Sequence, residues 1–120
     1  MEMLDTDVGF DATSGVTALT STDSTKVLDA PAAGYEIFIT DLYAVNDHAS
    51  VACLVSLLDD TTVIFTAFAP ISAAGLPPVP INKVWKKPLK VTVAKQLNIK
   101  CSAAGSVHWN VGGFVRKVYG

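Results

Sequence analysis

The segment YEIFITDLYAVN, residues 35–46, decides the fold class. Tyr35, Ile37, Ile39, Tyr43 and Val45 share one parity, while Phe38 and Leu42 occupy the other. An extended chain with this pattern is apolar on both faces, as in a central strand whose second face is also covered. NDHAS (46–50) reads as the turn that follows. VACLVSLL (51–58), a break at Asp59-Asp60-Thr61 and TVIFTAFA (62–69) then read as two hairpin-connected strands.

The same reading extends in both directions. Upstream, alternation begins at Val16 and continues through Ala18 and Thr20, a short run covers Thr25 to Leu28, and DAPAAG (29–34) is a turn-rich link. Downstream, Pro70 to Ile81 is apolar but punctuated by proline, which predicts an extended loop or edge segment. VWKKPLKVTV (84–93) supplies one bent strand or two short ones. Leu97, Ile99 and Cys101 alternate with polar residues, as do Val107, Trp109 and Val111, and Gly112-Gly113 marks a bulge. No stretch of ten residues has helical periodicity. Seven to nine short strands at turn-punctuated spacing predict an all-β protein, an antiparallel β-sandwich or jelly-roll-like fold over residues 15–120. Residues 1–14, acidic and aperiodic, read as an extended N-terminal arm.

Composition narrows the class. The chain has 120 residues, 50% of them hydrophobic and 17% charged, with a mean hydropathy of +0.39. A disordered chain is excluded. So apolar a small domain is expected to bury part of its surface against partners. The charge is segregated: all eleven acidic residues lie in the first sixty positions, and eight of the nine basic residues follow position 82. That pattern reads either as complementarity within one chain or as an acidic arm of one copy meeting a basic face of another. No secretory signal is expected from MEMLDTD, where Glu2, Asp5 and Asp7 stand in place of positive charge. The uncharged stretch Thr61–Asn82 contains four prolines and makes a poor membrane helix. Cys53 and Cys101, without CxxC spacing, read as buried reduced thiols, and whether they meet is open.

The search for chemistry returns no site. Asp47, His48 and Ser50 adjoin in one turn, whereas triad members converge from separate elements. Asp59-Asp60 is a turn rather than an acid/base pair. Asp5, Asp7 and Asp11 resemble the start of a calcium loop, but Phe10 and Val16 replace its required Gly and Glu. No zinc spacing, phosphate loop or other cofactor motif is present. Trp85, Lys86, Lys87, Lys90, Lys95, Lys100 and Trp109 interleave cations with aromatics, but a sequence pI near 5.5 argues against nucleic acid. LPPVP (76–80) reads as loop architecture.

YEIFITDLYAVNDHAS, VACLVSLLDDTTVIFTAFAP and PLKVTVAKQLNIKCSAAGSVHWNVGGFVRK together resemble the small β-sandwich virion proteins of tailed bacteriophages. The resemblance runs from Tyr35 to about Lys117. It implies a non-enzymatic capsid decoration (cement) protein, or a related tail or fibre component. Such a protein forms a homo-oligomer, often a trimer, and sits on the capsid surface against the major capsid protein, having been made in the host cytoplasm. The expected shell or neighbour contacts are Met3, Leu4, Asp5, Asp7, Val8, Phe10 and Asp11. The expected oligomer interface is Phe65, Phe68, Ile71, Leu76, Val79 and Ile81. The reading from another class is a carbohydrate-binding sandwich that stacks sugars on Trp85, Trp109 and Tyr43.

Overall fold

Alternation at strand period runs through nearly the whole chain, and the computed structural model, which describes residues 7–14, 18–72 and 77–118, resolves it into strands alone. The described residues form eight: β1 (Val8–Thr13), β2 (Thr25–Leu28), β3 (Tyr35–Asn46), β4 (Cys53–Asp59), β5 (Thr62–Ala69), β6 (Ile81–Lys90), β7 (Leu97–Cys101) and β8 (Val107–Lys117). They make two antiparallel four-stranded sheets, β1-β8-β3-β6 and β2-β7-β4-β5. The sheets pack face to face as a β-sandwich, with Ile37, Ile39, Leu42, Val107, Trp109 and Val111 of the first buried against Val55, Leu57, Leu97 and Ile99 of the second.

β3 is central, as its two apolar faces predict, but its parity reverses midway. The register steps from Ile39 opposite Gly113 to Asp41 opposite Gly112, leaving Thr40 as an extra residue. Ile37 and Ile39 point inward before this bulge, and Leu42 and Ala44 after it. Tyr43 and Val45 therefore face outward, contrary to the sequence reading. The bulge expected at Gly112-Gly113 lies instead on the partner strand opposite them. On the outer face, Phe38 stacks on Phe114 at 5.1 Å. The Arg116 guanidinium covers both rings, 5.4 and 4.9 Å from their centroids. This cover explains how two outward-pointing phenylalanines come to be buried.

The arm expected over residues 1–14 is corrected from Asp7 onward. Val8–Thr13 is an edge strand, paired in register from Val8 opposite Val115 to Thr13 opposite Asn110. The Asp7 carboxylate is fully buried and takes two hydrogen bonds from Arg116, at 3.0 and 2.7 Å. Phe10 lies over Gly113 and packs against the core. A strand can hide in this acidic text because its inward set is short, with Phe10 and Ala12 alone between charged or small neighbours. Of the run expected from Val16, residues 16 and 17 lie outside the described residues, and Leu19 makes an isolated bridge to Val107.

Cys53 and Cys101 are buried as neighbouring free thiols inside the core. Burial, followed by the neighbouring Cys53, pushes the Cys101 thiol up to about 12. Neither thiol is expected to react with a thiol reagent until the domain unfolds, when both should react. A thiol with a raised folded pKa contributes stability that is fully present below its unfolded value, near 9.0, and is lost as pH rises towards 12. Urea midpoints measured between pH 8 and 11 should therefore fall more steeply for the natural chain than for Cys101→Ala. Parallel curves would contradict the assignment.

Candidate interaction surfaces

β4 and β5 are joined by a tight turn in which Asp60 adopts a left-handed φ of 56°. Because β4 reads CLVSLLD and β5 TVIFTAFA, both strands keep apolar residues on the face turned away from the core. Leu54 stands opposite Phe68, with 45% and 59% of their surfaces exposed, and Val63, opposite Leu58, is 47% exposed. Between them the Ser56 and Thr66 hydroxyls hydrogen-bond at 2.9 Å. Ile71 and Val79, in the segments that leave β5 and enter β6, are exposed as well. The result is an apolar outer surface on one edge of the second sheet.

The expected interface residues are only partly brought together here. Phe68, Ile71 and Val79 are exposed. Phe65 points inward and meets Trp85 edge-on at 5.1 Å. Ile81, opposite Ala44, is buried in the core and presents no surface. Leu76 lies outside the described residues, as do Met3, Leu4 and Asp5. Of the expected shell contacts, Val8 and Asp11 are exposed on β1, while Asp7 and Phe10 are taken up by the fold. Leu54 was missed by the sequence reading, although its even position in VACLVSLL marks it as outward.

A second surface lies at the opposite face of the molecule. A cleft of about 590 Å³ is floored by Phe38 and Pro88 and walled by Lys87, Lys90, Arg116 and Lys117, with Glu36 within it. Two of these cations already face carboxylates, Arg116 on Asp7 and Lys90 on Glu36 at 3.6 Å. Asp47 and His108 pair at 3.1 Å. The Asp47 carboxyl is held below the usual range chiefly by a hydrogen bond from Ser106, and further by His108. All three pairs join an acid of the first half to a base of the second within one chain. Charge segregation along the sequence therefore becomes complementarity in space at these positions.

The other candidate chemistries separate. In the NDHAS turn, His48 Nδ1 accepts hydrogen bonds from the Ser50 and Val51 backbone amides, so the ring fastens the turn while Asp47 turns to His108. Asp59 accepts from the Thr92 amide and hydroxyl. Among the described residues, no group of three or more His, Cys, Asp or Glu is placed to hold a metal ion. Lys86, Lys87 and Lys90 lie on β6 in the first sheet, whereas Lys100 lies on β7 in the second and Trp109 is in the core. The proposed cation–aromatic interleaving does not converge on one groove. Nor do Trp85, Trp109 and Tyr43 form a sugar platform, since Trp109 faces inward and Tyr43 outward. No helix among the described residues is long and apolar enough to cross a membrane.

No protein-family model and no curated protein sequence matches the chain. Among solved structures it is similar to dimeric latent PorU from Porphyromonas gingivalis, with a TM-score of 0.48 and 12% identity over 92% of this chain. It spans only 13% of that protein's length. It is also similar to two structures of a pentameric capsid protein isolated from metagenomic phage sequences, with TM-scores of 0.37 and 0.33 and identities of 19% and 21%. Each covers 98% of this chain, which spans 64% and 71% of theirs. These scores lie below the level at which two chains share a fold.

Proposed function

We propose that the chain is a non-enzymatic structural protein of a tailed-phage particle, a capsid decoration (cement) protein acting as a homo-oligomer on the head. The observation that carries the reading is the apolar outer surface of β4 and β5. Leu54, Val63 and Phe68 sit on the side of the sheet where a lone domain gains nothing from them. The sequence resemblance over Tyr35–Lys117 supplies the particle and implies a trimer. A protein that binds only the assembled shell stabilises it by mass action, needing contact area rather than a reactive group.

Light scattering across a wide dilution series tests the self-association. The expected native mass is a whole multiple of 12.6 kDa that persists on dilution, three-fold if the resemblance holds in full. Added to undecorated heads of the phage that encodes it, the protein should co-sediment with them and raise the temperature at which they rupture. A chain that stays monomeric throughout and leaves heads unbound would overturn the proposal.

A further inference from the structure

A sandwich of two open sheets has four edge strands, here β1 and β6 in one sheet and β2 and β5 in the other. An edge strand exposes unpaired backbone donors and acceptors, and monomeric proteins guard such edges with charge, proline, bulges or brevity. β6 carries Lys83, Lys86, Lys87, Lys90 and Pro88, β2 is four residues long with Lys26, and β1 is six residues long with Gly9 and Asp11. β5 differs: its eight residues, TVIFTAFA, include no charge, proline or glycine. Its one guard is the register shift that leaves Ile64 extra. Beyond it, Phe65 to Ala69 pairs regularly with Leu57 to Cys53, leaving five residues of strand whose outer edge pairs with no other strand among the described residues.

We propose that this segment is the seam of self-association, pairing antiparallel with the same segment of a second copy about a twofold axis. The β2-β7-β4-β5 sheet would thereby become a continuous sheet of twice the width. The inference rests on the homo-oligomer reading above and names a twofold pair instead of the implied trimer. Charge selects the occupant: β5 against β5 sets no like charges opposite one another, whereas β6 against β6 opposes lysines. The faces agree too. Phe65, Ala67 and Ala69 point inward, so their equivalents in the second copy would extend the core across the seam, while on the outer face Phe68, already flanked by Leu54, would stand opposite Thr66 of the second copy with that copy's Phe68 on the diagonal. The contact is isologous and closes at two copies, so it gives a discrete particle rather than a fibre.

The test uses the full chain with Phe68→Lys, Phe68→Glu and, as a control on a different edge, Val84→Lys. Phe68 and Val84 are 59% and 68% exposed, so each variant should fold, with an unchanged circular dichroism spectrum. The natural chain and Val84→Lys should show twice the 12.6 kDa chain mass. Each Phe68 variant should dissociate roughly 100-fold more readily, and an equimolar mixture of the two should regain the paired mass. Hydrogen exchange should show amides of Thr62–Ala69 protected at high concentration and released on dilution. An oligomer of unaltered mass in both Phe68 variants, with β5 amides exchanging freely, would overturn the seam and leave the homo-oligomer reading standing. A natural chain that is monomeric at every concentration would overturn that reading, and the seam with it.

Discussion

Gly113→Ala is expected to lower stability by roughly 4 kcal/mol, near the upper limit for a single methyl group. A Cβ at position 113 would lie 2.0 Å from the Phe38 carbonyl oxygen and 3.0 Å from the Phe10 ring. The ring could shift, but the carbonyl belongs to the backbone of β3, and relieving it means prising β3 from β8 beside the Thr40 bulge. Two glycines serve as controls. At Gly112 the new Cβ would meet the Asp41 carboxylate at 2.7 Å, the end of a side chain that can swing aside at the loss of its Thr40 hydrogen bond. At Gly34 nothing lies within 4 Å, but φ is +85°, so alanine there costs about 1–2 kcal/mol of backbone strain. Urea unfolding should rank Gly113→Ala well below both, with a midpoint lower by about 2 M for a slope near 2 kcal/mol/M. A Gly113→Ala midpoint within the range of the two controls would show that β3 yields more easily than a packed central strand should.

That clash also marks where sequence reading ends. The class of fold was legible because apolar alternation at period two recurs through residues 35–111, and a helix cannot satisfy it. The bulge was not, because Thr40 and Asp41 are ordinary strand-compatible residues. Nothing local signals that one of them is extra, yet a one-residue insertion exchanges the faces of Tyr43 and Leu42. The glycine pair hinted at irregularity, but on the wrong strand: the glycines make room, and the partner bulges. β1 was hidden for a different reason. Its partner β8 and the Arg116 that pairs with Asp7 lie about a hundred positions away, Asp7 and Arg116 being 109 positions apart, and no local pattern connects them. On the candidate surface, Phe68, Ile71 and Val79 could be named from hydrophobicity alone. Excluding Phe65 and Ile81 required parity through a second bulge, at Ile64, and a register against β3.

Asn46→Leu should cost roughly 3–5 kcal/mol, although it places an apolar side chain of similar size in the core. Asn46 has no exposed surface and sits where β3 ends. Its Nδ2 donates to the Val51 carbonyl at 2.7 Å, with the Ala69 and Pro70 carbonyls at 3.5 Å, and its Oδ1 accepts from the His48 and Ser106 amides, each at 3.1 Å. One amide thus fastens the 46–51 turn, the end of β5 and the β7–β8 turn. Leucine would strand two backbone N–H groups and a carbonyl in a partly buried site, at about 1–3 kcal/mol each less what water recovers. The consequence reaches the proposed interface. The Ser72 amide hydrogen-bonds the His48 carbonyl, so the turn that Asn46 holds also anchors the segment carrying Ile71 away from β5. In Asn46→Leu, the amides of His48, Ser106 and Ser72 should lose exchange protection before those of β3 and β8, and self-association should weaken even where the domain remains folded. If the variant matches the natural chain in urea midpoint and in protection at His48 and Ser106, then Asn46 is a spectator, and the core alone orders this end of the sandwich.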